Sequence, residues 1–68
     1  PNPTSAQLQI SFPNTIDLQG IALYNMQGKL VQHFSVSDQI DLELIPRGIY
    51  ALALTTNQGV FYKSVLKN

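Results

Sequence analysis

The stretch "GIALYNMQGKLVQHF", Gly20 to Phe34, decides the fold class. Two β-prone runs flank "NMQG". Asn25 suits the first position of a type I turn and Gly28 the fourth. With Gly28 left-handed, the segment reads as a three-residue hairpin closed by a glycine bulge. Its apolar residues follow strand grammar, with no helical window.

The same period recurs on both sides of the hairpin. Upstream, "AQLQISF" places Leu8, Ile10 and Phe12 on one face and Gln7, Gln9 and Ser11 on the other, a half-buried strand. "PNT" ends it, and "TIDL" reads as a short second strand broken by Gly20. Downstream, "SVSD" is a loop, and "QIDLEL" puts Ile40, Leu42 and Leu44 on one face. "IPRG" is a corner, where Pro46 stops one strand and Gly48 permits a positive φ before the next. "IYALALT" sets Tyr50, Leu52 and Leu54 opposite Ile49, Ala51 and Ala53, the pattern of a central strand covered on one side. "TNQG" repeats the turn chemistry of "NMQG", with Gly59 in the Gly28 role. "VFYKSVLK" is the final strand, apolar on both faces, so periodicity leaves its orientation open.

Six or seven short strands with glycine turns predict an all-β sandwich or barrel, with two antiparallel sheets stacked about 10 Å apart. The expected core is Leu8, Ile10, Ile21, Leu23, Val31, Ile40, Leu42, Leu44, Tyr50, Leu52 and Leu54. With 68 residues the chain is one domain. "PNPTS", residues 1–5, reads as the extended end of a linker, and residues 6–68 as the folded domain. A chain that opens in a linker is expected to be a module of something longer.

Charge excludes several functions. Four basic and four acidic residues sum to zero, so there is no basic stripe for nucleic acid and no cluster for an anionic membrane. There is no cysteine for a disulfide or a thiolate metal site. No apolar run approaches the roughly 18–20 residues of a membrane span.

The candidate chemistry is thin. His33 stands without a recognisable nucleophile or orienting acid and reads as a solvent-facing strand-end residue. Asp38, Asp41 and Glu43 fall short of a calcium loop and read as a solvated face. "GKLV" lacks the earlier glycine and the following Ser or Thr of a phosphate loop, and Gly28 has a sufficient role as the turn glycine. No enzyme activity and no cofactor are expected. Tyr24, Phe34 and Tyr62 are expected to share the face opposite the core, either covering a second sheet or stacking on sugars. Lys63 and Lys67 fall on one face of the final strand, either blunting an exposed edge or contacting a partner.

Three landmarks in order, "PNPTSAQLQI", "IALYNMQGKLV" and "LIPRGIYALALTTNQGVFYKSVLKN", span almost the whole chain. Together they are similar to the C-terminal sorting domain of the type IX secretion system of Bacteroidetes. That resemblance implies a small immunoglobulin-like antiparallel β-sandwich of about seven short strands, joined to an N-terminal cargo domain in the same precursor. It implies that the cargo crosses the periplasm, is recognised through this domain, and passes the type IX translocon to the outer-membrane surface or the medium. A sortase-like protease then usually removes the domain at a site upstream of Pro1. The family's features fall on Pro1, Asn2, Pro3, Gly28, Lys29, Val31, Gly48, Tyr50 and Gly59, with the closing Lys63 and Lys67. Partner recognition is expected at Lys63, Val65, Leu66 and Lys67. The competing readings are a small carbohydrate-binding or adhesion module of a secreted enzyme, and a structural spacer.

Overall fold

The computed structural model describes residues 7–67. The linker read at residues 1–5, the Pro1-Asn2-Pro3 motif and the residue after Lys67 lie outside the described residues. Six strands follow in order: β1 Gln7–Gln9, β2 Leu18–Tyr24, β3 Leu30–Phe34, β4 Gln39–Asp41, β5 Gly48–Thr56 and β6 Gly59–Lys67. Every pairing is antiparallel, and the described residues contain no helix. One sheet has the order β3-β2-β5-β6; the other is the pair β1-β4.

The all-β expectation holds, with six described strands where about seven were expected. "TIDL" forms no strand of its own. Ile16 N–H donates to the Pro13 carbonyl at 3.0 Å, closing a turn, and Leu18 already belongs to β2. Gly20 does not break that strand. β2 runs through it with a register shift against β5 between Leu18 and Gly20, an irregularity that glycine tolerates.

The hairpin that decided the fold class forms as its residues dictate. Gly28 has φ of 81°, its N–H donates to Asn25 O at 3.0 Å, and Asn25 N–H donates to Lys29 O at 2.9 Å. Asn25 Oδ1 accepts from the N–H groups of Gln27 and Lys29, both at 3.0 Å, so one side chain braces the whole turn. The second turn differs. Thr56 pairs directly with Gly59, which leaves a two-residue loop without the bulge. Gly59 shares the positive φ of Gly28, at 116°, but closes the hairpin one residue earlier than its sequence analogue.

The two sheets share one core. Ile21, Leu23, Tyr50, Leu52, Leu54 and Val65 come from the larger sheet, and Leu8, Ile10, Ile40 and Leu42 from β1, β4 and their continuations. Ile45 enters from the loop between β4 and β5. Each such side chain contributes about 1.5–3 kcal/mol when fully buried, the main favourable term for so short a chain.

Two expected core residues lie elsewhere. Leu44 is 93% exposed and Val31 37%. β4 ends at Asp41, whose Oδ1 accepts from Glu43 N–H at 2.9 Å, and Ile45 N–H then donates to Leu42 O at 3.0 Å. That turn breaks the alternation, so Leu44 swings out and Ile45 takes its place. On β3 the phase is inverted. Phe34 pairs with Ile21 and Gln32 with Leu23, which puts Phe34 on the inner face and Val31 with His33 on the outer one.

Candidate functional site: the final strand and its anchor

β6 is an edge strand. It pairs with β5 along its whole length, from Gly48 opposite Lys67 to Thr56 opposite Gly59, and no described strand pairs with its other side. The register assigns its faces. Phe61, Lys63, Val65 and Lys67 share the inner face with Leu54, Leu52 and Tyr50, while Val60, Tyr62 and Leu66 point outward. Lys63 and Lys67 therefore do share a face, as their spacing predicts, but their surroundings differ. Lys63 is exposed; Lys67 is 8% exposed and Val65 1%. Leu66 is 39% exposed and sits opposite Ile49, which is itself exposed. Of the four residues expected to contact a partner, Lys63 and Leu66 reach the surface, and Val65 and Lys67 do not.

The buried pair is part of an anchor. Lys67 Nζ donates to the Ile45 carbonyl at 3.1 Å, and Tyr50 Oη donates to the next carbonyl, that of Pro46, at 2.5 Å. Gly48, opposite Lys67, has a positive φ of 155°, and a Cβ there would stand 3.6 Å from the Tyr50 ring. The corner "IPRGIY" and the closing lysine, distant in sequence, thus meet at one place. Sequence reasoning missed this because it treated Lys67 as a surface charge. The spacing puts Lys67 on the face of Val65, but only the pairing of Val65 with Tyr50 turns that face inward.

The opposite end of the β5–β6 hairpin is also braced. Thr56 Oγ1 accepts from Gln58 N–H at 3.0 Å and donates to Gly59 O at 2.8 Å. Asn57 N–H donates to Asp17 O at 3.1 Å, and Asn57 Oδ1 accepts from Asp17 N–H at 2.8 Å. The turn is therefore tied to the segment that leads into β2. Beside β6, the Phe12 and Phe61 rings stand 5.7 Å apart at a 47° tilt.

On the outer face of the larger sheet, Tyr24 and Tyr62 flank Ala51 in a shallow depression of about 470 Å³ that includes Asn25 and Met26. Phe34, expected on the same face, packs against the core instead. His33 is exposed on β3. Among the described residues, no three His, Asp or Glu side chains converge as metal ligands, and no helix is long and apolar enough to cross a membrane.

The final strand is thus an edge strand held at both ends. Comparison with protein-family models gives a match to the secretion system C-terminal sorting domain over residues 1–68, the whole chain. The chain belongs to this family. It is thus a C-terminal sorting domain of type IX secretion, a signal region rather than a catalytic one. Such a domain marks its parent as a protein exported through the outer membrane to the surface or the medium, and implies a cargo domain and the secretion machinery as its partners. No curated protein and no solved structure matches the chain.

Proposed function

We propose that this sorting domain is an immunoglobulin-like sandwich whose final strand is the surface that the type IX translocon reads. The cargo reaches the translocon through the periplasm, and a sortase-like protease removes the domain afterwards. The observation that carries the reading is that β6 is a nine-residue edge strand with no described strand on its outer side. An open edge offers backbone donors and acceptors to an added strand, while side chains along it give selectivity. Lys63 and Leu66 are the contacts, since both are exposed on that strand. Val65 and Lys67 act by holding it in place.

The test is a reporter fused to these 68 residues and exported by a type IX-competent host. Lys63→Gln with Leu66→Gln should reduce export severalfold while the thermal melt of the purified domain moves little, because surface changes usually alter stability by less than about 0.5 kcal/mol. Wild-type export from that folded double variant would remove the final strand as the reading surface.

A second reading, a carbohydrate-binding role, is favoured by one observation: Tyr24 and Tyr62 flank the same depression. Titrating soluble glycans while following tyrosine resonances tests it. Shifts confined to those two rings would support it, and their absence at millimolar glycan would dismiss it.

A further inference from the structure

We propose that Lys67 is a positioning residue that locks the register of β6, rather than a charge offered to a partner. This rests on the reading of β6 as the recognition strand, but its evidence is separate. β6 is apolar on both faces: Phe61 and Val65 inward, Val60, Tyr62 and Leu66 outward. A strand of that kind has a weakly specified register, because a one-residue slip exchanges one apolar set for another. Slippage would turn Leu66 inward and Lys67 outward, and the exposed surface of the strand would be a different one.

Lysine breaks that degeneracy. An edge-protecting lysine keeps its amine in water. Here the side chain is 8% exposed and its Nζ sits 3.1 Å from the Ile45 carbonyl. The residue opposite, Gly48, has no side chain to compete for the space. Ile45 belongs to the loop that joins β4 of the smaller sheet to β5 of the larger. Tyr50, from β5, holds the next carbonyl of the same loop. Two strands of the larger sheet thus grip two successive carbonyls of the link between the sheets. In the slipped register Lys67 points outward and cannot reach Ile45. The two-residue turn at Thr56–Gly59 sets the register at one end of β6, and Lys67 sets it at the other.

The experiment uses the purified 68-residue chain, without export as a readout, so its outcome is independent of the sorting reading. Arg47 is the only arginine, so an arginine-specific protease has a single site, beside the gripped loop. Three variants are compared: Lys67→Met, which keeps the stem and removes the donor; Lys67→Arg, which keeps a donor; and Lys63→Met as the surface control. Hydrogen bonds from charged groups are worth enough to change a local opening equilibrium about tenfold to a hundredfold. In Lys67→Met, cleavage after Arg47 and amide exchange at Ile45, at residues 47–49 and at residues 64–67 should rise by that factor, while β2 exchange stays unchanged. Lys67→Arg should restore protection, scored by amide exchange and by the mass of the fragment cut after Arg47 because this variant adds a second arginine near the C-terminus, and Lys63→Met should match the wild type. Wild-type cleavage and exchange in Lys67→Met would overturn the proposal. So would an equal rise across β2, which would make Lys67 a general stabiliser. If Lys67→Met does not fold, the wild type still decides. The Lys67 Nζ protons should exchange at least tenfold more slowly than those of Lys63, and equal rates would refute the lock.

Discussion

Replacing Tyr50 tests the anchor that organises the end of the fold. The ring belongs to the core cluster and its hydroxyl donates to the Pro46 carbonyl at 2.5 Å. Tyr50→Phe removes the hydroxyl alone. A net hydrogen bond is worth about 0.5–1.5 kcal/mol, and Pro46 is exposed, so water can replace the lost donor and the lower half of that range applies. At about 4–8 °C per kcal/mol for a domain of this size, the melting temperature should fall by roughly 2–8 °C. Tyr50→Ala also removes the ring and leaves a cavity beside Val65, its cross-strand partner. Truncating a buried aromatic costs about 3–5 kcal/mol. At about 0.05–0.15 kcal/mol per residue, the whole domain is stable by only about 3–10 kcal/mol. Tyr50→Ala should therefore be largely unfolded at 37 °C, and Tyr50→Phe folded with a modest loss. Far-ultraviolet circular dichroism with temperature, and urea titration for the unfolding slope, measure both. A Tyr50→Ala melt within 2 °C of the wild type would mean that the ring is not part of the core, and the assignment of faces along β5 would fail with it.

Three further outcomes follow from particular positions. Ile45→Ala should cost about 2–4 kcal/mol, whereas Leu44→Gln, one residue away and 93% exposed, should change the melt by less than about 0.5 kcal/mol; comparable losses would refute the turn at Leu42–Ile45. Gly28→Ala meets no atom within 4 Å, so its cost is the left-handed backbone alone, about 1–2 kcal/mol by urea titration, and a neutral result would place Gly28 outside that region. Asn57→Ala removes the acceptor for Asp17 N–H and should raise amide exchange at Asp17 severalfold, with no change at Asn25 in the other turn.

Much of the fold was legible in the residues, for identifiable reasons. "NMQG" carries its own turn chemistry, with Asn25 as acceptor and Gly28 for the positive φ, so the hairpin needed no tertiary information. β5 alternates large with small residues, and its faces were read correctly. The misplaced residues lie where local pattern and tertiary context part. Leu44 continues the alternation of Ile40 and Leu42, but the Asp41 side chain ends the strand by capping Glu43, and that competition is invisible to a period-two count. Val31 and Phe34 are both apolar and sit on an edge strand, so only pairing with Ile21 and Leu23 decides which turns inward. "TNQG" shares Asn, Gln and Gly with "NMQG" but opens on Thr56 and has no methionine, and the Thr56 hydroxyl closes the turn earlier than the Asn25 amide does. The final strand stood out as the proposed reading surface from its place in the family pattern. Its division into exposed Lys63 and Leu66 and buried Val65 and Lys67 required the partner across the core.

The most direct test of the sorting role is the fate of a reporter. A fluorescent protein with a signal peptide ahead of it and these 68 residues behind it is expressed in a type IX-competent host and in its translocon-deficient derivative, and the fraction at the surface and in the medium is measured. Most of the reporter should leave the intact cells, and almost all of it should remain in the periplasm of the deficient strain. Equal export from both strains, or periplasmic retention in both, would contradict the account.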